Sequence, residues 1–99
     1  MPLYAVTRQR GAGWRADRRL QEQTEFAPHA QYMNDLYARG AVVFGGFLDE
    51  GPDVLLIMRG RGPEEVRATL DGDPWTWLEI LPVERIALWT LGLGVLPDG

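Results

Sequence analysis

The stretch TEFAPHAQYM, residues 24–33, holds the chain's one histidine, His29. Imidazole is the side chain whose ordinary protonation equilibrium lies nearest neutrality, so His29 is the natural first candidate for a general base. The chain has no cysteine and no serine, which excludes thiol and serine nucleophiles, disulfides and thiolate metal sites. One histidine with carboxylates makes no metal cluster, and the pair Gly45-Gly46 is too little for a phosphate-cradling loop. Neither a metal nor a cofactor is therefore expected. A histidine–carboxylate pair is what remains. Asp73, in the turn Asp73-Pro74-Trp75, is the candidate partner; it would fix the ring tautomer and raise its basicity. A second reading stays open, in which His29 is packed and Asp73 caps a helix ahead of Pro74. Arg8 or Arg10 would bind an oxyanion, or simply stand in solvent.

These residues need elements to hold them. Leu3 to Thr7 reads as a first strand. Residues 8–24 form a long polar loop with Trp14 among arginines, and a helical turn near Arg18 to Gln23. Loops of this length are often functional. A first helix runs from Phe26 to Arg39, capped by Thr24 and stopped by Gly40. At 100° per residue Phe26, His29, Ala30, Met33, Leu36 and Tyr37 share one face, which turns His29 toward a sheet. Ala41 to Leu48 is a second strand, interrupted at Gly45-Gly46 by a bulge or a close backbone approach. Val54 to Arg59 is a third, continuous and apolar. Gly62 and Pro63 open a second helix, with Glu64 and Glu65 in its first turn, and Gly72 ends it. Glu79 to Leu91 is a fourth strand, with Pro82 marking an irregularity or the strand's beginning; in it Val83, Arg85, Ala87, Trp89 and Leu91 alternate with Glu84, Ile86, Leu88 and Thr90. The order βαββαβ is the ferredoxin-like pattern: an α+β fold with an antiparallel four-stranded sheet and two helices on one face.

With 99 residues the chain is expected to form a single domain, 1–99, whose modest core oligomerisation would extend. The net charge of −4 argues against nucleic acid as a partner. No apolar run reaches the length of a membrane span or a signal peptide, so a cytoplasmic protein without a membrane partner is expected.

The stretches HAQYMNDLYARG (29–40), GGFL (45–48), VLLIMRG (54–60), EEVRATLDGDPW (64–75) and LWTLGLG (88–94) together resemble the YCII-related family over nearly the whole chain. The segment from Trp14 to Ala30 is similar to a subgroup with a longer first loop. The resemblance implies a dimeric α+β barrel of the muconolactone isomerase-like group. It implies a histidine on the first helix and the aspartate of an Asp-Pro-aromatic turn as a catalytic pair, which fall on His29 and Asp73. A dehydrochlorinase of a chlorinated hydroxyhydroquinone is among the family's members. Gly45-Gly46-Phe47 departs from the family's frequent Gly-Gly-Pro, so substrate identity does not carry over.

Two functions follow. One is a cofactor-free enzyme, a lyase, isomerase or dehydrochlorinase, in which His29 removes a proton from a small aromatic, phenolic or lactone-like substrate and Asp73 orients the ring. Trp14, Phe47 and Trp75 would line its pocket, with core packing as the alternative for each. Trp14 is expected over the pocket mouth or at the seam of a homodimer. The other is a non-catalytic small-ligand-binding or accessory protein of the same fold. A purely structural interaction domain is a third reading. Geometry bears on the choice: an enzyme needs His29 and Asp73 within about 3 Å at a cavity wall, whereas a closed core favours the structural reading.

Overall fold

The computed structural model describes residues 1–97. Its elements are β1 (Leu3–Arg8), α1 (Phe26–Ala38), β2 (Val42–Phe47), β3 (Val54–Arg59), α2 (Pro63–Asp71), α3 (Pro74–Trp77) and β4 (Val83–Trp89), with a 3-10 turn at Leu20–Glu22. The strands form one antiparallel sheet in the order β2-β3-β1-β4. This is the expected ferredoxin-compatible α+β arrangement, with the short α3 in addition.

Strand alternation sorts the core into two faces. Tyr4, Val6, Val42, Leu56 and Met58 are buried with Leu36 of α1 and Val66 and Leu70 of α2. Each such aliphatic side chain contributes about 1.5–3 kcal/mol by leaving water. On the opposite face Leu3, Val43 and Ile57 are buried with Ala5, Trp89 and Leu96, so the stretch after β4 returns beneath the sheet. A third cluster, Trp75, Ile80 and Leu81 with Trp14, Leu20 and Phe26, ties the long loop to α3.

Several local expectations need correction. Strand one extends to Arg8, whose even-numbered position points it inward with Tyr4 and Val6. Thr24 does not cap α1; Glu25 holds that place in the left-handed region at φ 58°, and the Thr24 carbonyl instead accepts a bond from Trp75 Nε1 at 2.7 Å. Strand four begins at Val83, not Glu79. The Leu81 amide bonds Trp75 O at 3.0 Å and the Leu81 carbonyl accepts from Arg8 Nε at 2.7 Å, so neither is free for the sheet. A register shift opposite Thr7 and Arg8 then puts Val83 on the helix face with Ile86, and breaks the simple alternation expected there. On α1 it is Tyr32 that joins the core, with its hydroxyl donating to Thr69 O at 2.6 Å, while Tyr37 is exposed.

The loop 8–24 is ordered by its own polar groups. Buried Gln23 accepts from the Arg15 amide at 2.8 Å and donates to the carbonyls of Arg15 at 2.8 Å and Arg18 at 3.0 Å. Its first half lies along 79–82, with Gly11 N bonded to Ile80 O at 3.1 Å and Gly13 N to Glu79 O at 2.9 Å. A Cβ on Gly13 would collide with the Leu78 carbonyl oxygen, whereas one on Gly46 would meet nothing within 4 Å. Gly13→Ala is therefore expected to destabilise the protein by about 1–3 kcal/mol. Gly46→Ala should change stability by less than about 0.5 kcal/mol. Denaturant midpoints of the two variants measure the contrast.

Candidate functional site

Asp73 follows Gly72 at the end of α2 and is fully buried. Its role as helix cap is real: Asp73 Oδ1 accepts from the Trp75 amide at 3.1 Å, and Pro74 takes the first helical position, where no amide is needed. The same carboxylate also receives His29. Nδ1 lies 3.0 Å from Oδ1 and 2.8 Å from Oδ2. Capping and pairing were alternatives in the sequence; in the fold one carboxylate does both.

His29 is held by its face as well as its edge. The imidazole stacks on Trp75 with ring centroids 3.8 Å apart and planes 5° from parallel. Trp75 is itself fixed by its bond to Thr24 O, by Trp14 edge-on at 6.3 Å and by Phe26 at 6.0 Å. With Nδ1–H directed at a carboxylate, the lone pair resides on Nε2. Among the described residues no group bonds Nε2.

His29 borders a cavity of about 450 Å³ between α1 and the β2–β3 side of the sheet. Its wall is mostly apolar, built from Phe26, Met33, Phe47, Leu56, Trp75 and Leu81 together with the backbone of Gly45 and Gly46; Asn34 and Tyr37 add polar groups. A single-ring molecule fits this volume, at the lower end of small-molecule sites.

Arg8 completes the cluster, and the solvent-exposed role expected for it is overturned. Its side chain is 1% exposed. Nη1 donates to Asp73 Oδ2 at 2.8 Å, Nε to Leu81 O at 2.7 Å and Nη2 to Thr76 Oγ1 at 3.0 Å. Its inward position follows from the β1 alternation, a signal present in the sequence and not used. Thr76 had no such signal. Burial lowers the Arg8 pKa from its usual value, against the charge of and hydrogen bond to Asp73. Burial alone would raise Asp73; the bond from His29 and the charge of Arg8 outweigh it and hold the carboxyl below its usual range.

The aromatic candidates divide. Trp75 and Phe47 line the cavity. Trp14 does not; it buttresses Trp75 and lines an adjoining cleft of about 260 Å³ with Arg18, Leu20 and Phe47. Arg10 is exposed, with its amide bonded to Asp53 Oδ1 at 3.1 Å, away from the cluster. Among the described residues no three His, Cys, Asp or Glu side chains converge as metal ligands, and no helix is long and apolar enough to cross a membrane.

Comparison of the chain with protein-family models, with curated proteins and with solved structures returns no match.

A carboxyl whose folded pKa is depressed contributes stability that is present above its unfolded value and lost as pH falls through the folded one. Asp73 should therefore make the protein acid-labile below about pH 4, the unfolded carboxyl value. Asp73→Asn strands the buried Arg8 charge and is expected to cost about 3–5 kcal/mol at neutral pH. It should also flatten the acid limb. Denaturant titrations of both proteins across pH measure the two effects.

Proposed function

We propose that this chain is a cofactor-free proton-transfer enzyme of the YCII-related type, acting on a small planar molecule with an acidic C–H or O–H. The observation that carries this reading is a histidine fixed on two sides, by the Asp73 carboxylate and the Trp75 ring, with its remaining nitrogen unbonded at the wall of an apolar cavity. A residue that served packing alone would need neither the cavity nor the free Nε2. Phenolic, enolisable and lactone-like substrates match the chemistry, since the base meets a weakly acidic proton in a mostly apolar cavity.

In the reaction, Nε2 takes the substrate proton and leaves an enolate or phenolate. Asp73 keeps the proton of Nδ1 in place and accepts the hydrogen bond of the imidazolium that forms. Return of the proton to a different carbon gives isomerisation; expulsion of a leaving group gives elimination or dehydrochlorination. Trp75 holds the ring plane during both transfers. The alternative, a ligand-binding protein without turnover, shares the cavity and is separated from this reading by activity alone.

The proposal includes a homodimer in the cytoplasm. The sheet face away from α1 and α2 leaves Phe44 47% and Leu55 37% exposed, beside a core of only three buried residues, Leu3, Val43 and Ile57. A second sheet on this face would bury an interface above about 1,000 Å².

Two measurements test these statements. His29→Gln should melt within a few degrees of the parent and lose about 10²-fold or more of its turnover on a panel of phenols, lactones and enolisable ketones. Full turnover by the folded variant would end the catalytic reading. Sedimentation at micromolar concentration should give a dimer; a stable monomer would refute the assembly.

A further inference from the structure

Among the described residues Arg8 is the one buried charge that the proton-transfer scheme leaves unused. It shares a single oxygen with the base: Asp73 Oδ2 is 2.8 Å from Arg8 Nη1 and 2.8 Å from His29 Nδ1. Resting on the reading of the cavity as a ligand site, we infer that Arg8 is a positioning residue that sets the charge of this site, so that a proton arriving on His29 is left uncompensated and the cavity selects an anion.

The charge balance is simple. A buried guanidinium stays protonated and a paired aspartate stays ionised. Arg8 and Asp73 therefore cancel, and with neutral imidazole the cluster carries no net charge. When Nε2 gains a proton the cluster becomes +1. Without Arg8 that imidazolium would instead be neutralised by Asp73, and an anion in the cavity would face no net charge. Among the described residues no further Arg, Asp or Glu side chain lines the cavity. Facing it, β1 contributes Arg8 and α1 contributes His29, Asn34 and Tyr37; β2, β3 and the 3-10 turn contribute Val42, the Gly45–Phe47 stretch, Val54, Leu56 and Leu20, none of them charged. The carboxylate of Asp73 stands behind the ring, as the cap of α3.

The geometry also holds Arg8 to this task. Nε donates to Leu81 O and Nη2 to Thr76 Oγ1, and Met33 Sδ lies 3.8 Å from Nη1. The guanidinium thus acts on the ligand through Asp73 and His29, by fixing the carboxylate and cancelling its charge. The ligand class that follows is a weak acid that enters neutral and gives its proton to Nε2, or a ready-made carboxylate or phenolate that binds together with a proton from solvent.

Benzoate and benzamide, nearly identical in shape and different in charge, are the probes. Calorimetry of the unmodified protein in two buffers of different ionisation enthalpy counts protons. Benzoate should bind with a net uptake of protons and benzamide with none. Benzoate binding with no proton uptake would overturn the inference while leaving the cavity as a ligand site. Failure of both probes to bind at millimolar concentration would overturn the ligand-site reading and this inference with it. Arg8→Met, folded as judged by its melt, should weaken benzoate by about tenfold or more and benzamide by less than about twofold. Arg8→Lys, which keeps the charge, should restore benzoate binding. Equal weakening of the two probes in Arg8→Met would mean a structural role only and would overturn the assignment. Should Arg8→Met not fold, Arg8→Lys and the proton count decide it: loss of benzoate preference in folded Arg8→Lys would equally overturn it.

Discussion

The carboxylate of Asp73 is where β1, α1 and α3 meet. It accepts from Arg8 at the end of β1, from His29 on α1 and from the Trp75 amide that opens α3. A carboxylate taken fully out of water needs partners for its lone pairs, or it forfeits several kcal/mol of hydration. Here three donors supply them. The need is mutual, because Arg8 is as deeply buried as its partner and would be an unpaired cation without it. The order of α3, the position of Leu81 and the aim of the His29 ring all rest on this one group.

That constraint explains why stability and proposed chemistry are hard to separate. The capping bond that starts α3 also fixes the oxygen to which Nδ1 donates. The Trp75 ring that fills the third hydrophobic cluster is also the plate beneath the imidazole. The long loop enters in the same way: Trp14 does not line the cavity, but it packs on Trp75, and the Thr24 carbonyl holds the indole nitrogen. The loop of residues 9–24 supports the imidazole from behind, through Trp75.

The sequence made much of this legible. His29 could be singled out as the chain's one histidine and Asp73 by its place after the second helix, in the Asp-Pro-aromatic turn that the family resemblance marks, and the spacing of apolar residues on α1 turned the ring inward. The βαββαβ order followed from periodicity alone. What was hidden depended on tertiary partners. Ile80 and Leu81 read as the start of a strand, yet their backbone is committed to the glycine loop, to α3 and to Arg8. Thr24 has the side chain of a helix cap, but its carbonyl is claimed by an indole 51 residues away. Arg8 stood at a position whose alternation was readable, and its charge argued for solvent until a buried carboxylate was there to receive it.

The central claim is that Nε2 of His29 exchanges protons with a ligand in the cavity. The most direct measurement is deuterium incorporation from heavy water into enolisable ketones and lactones of single-ring size, followed by NMR with the parent protein and with His29→Gln. The account predicts exchange above the buffer rate with the parent protein, and a loss of about 10²-fold or more in the variant. Equal exchange by the two folded proteins, or none above buffer across the series, would contradict it.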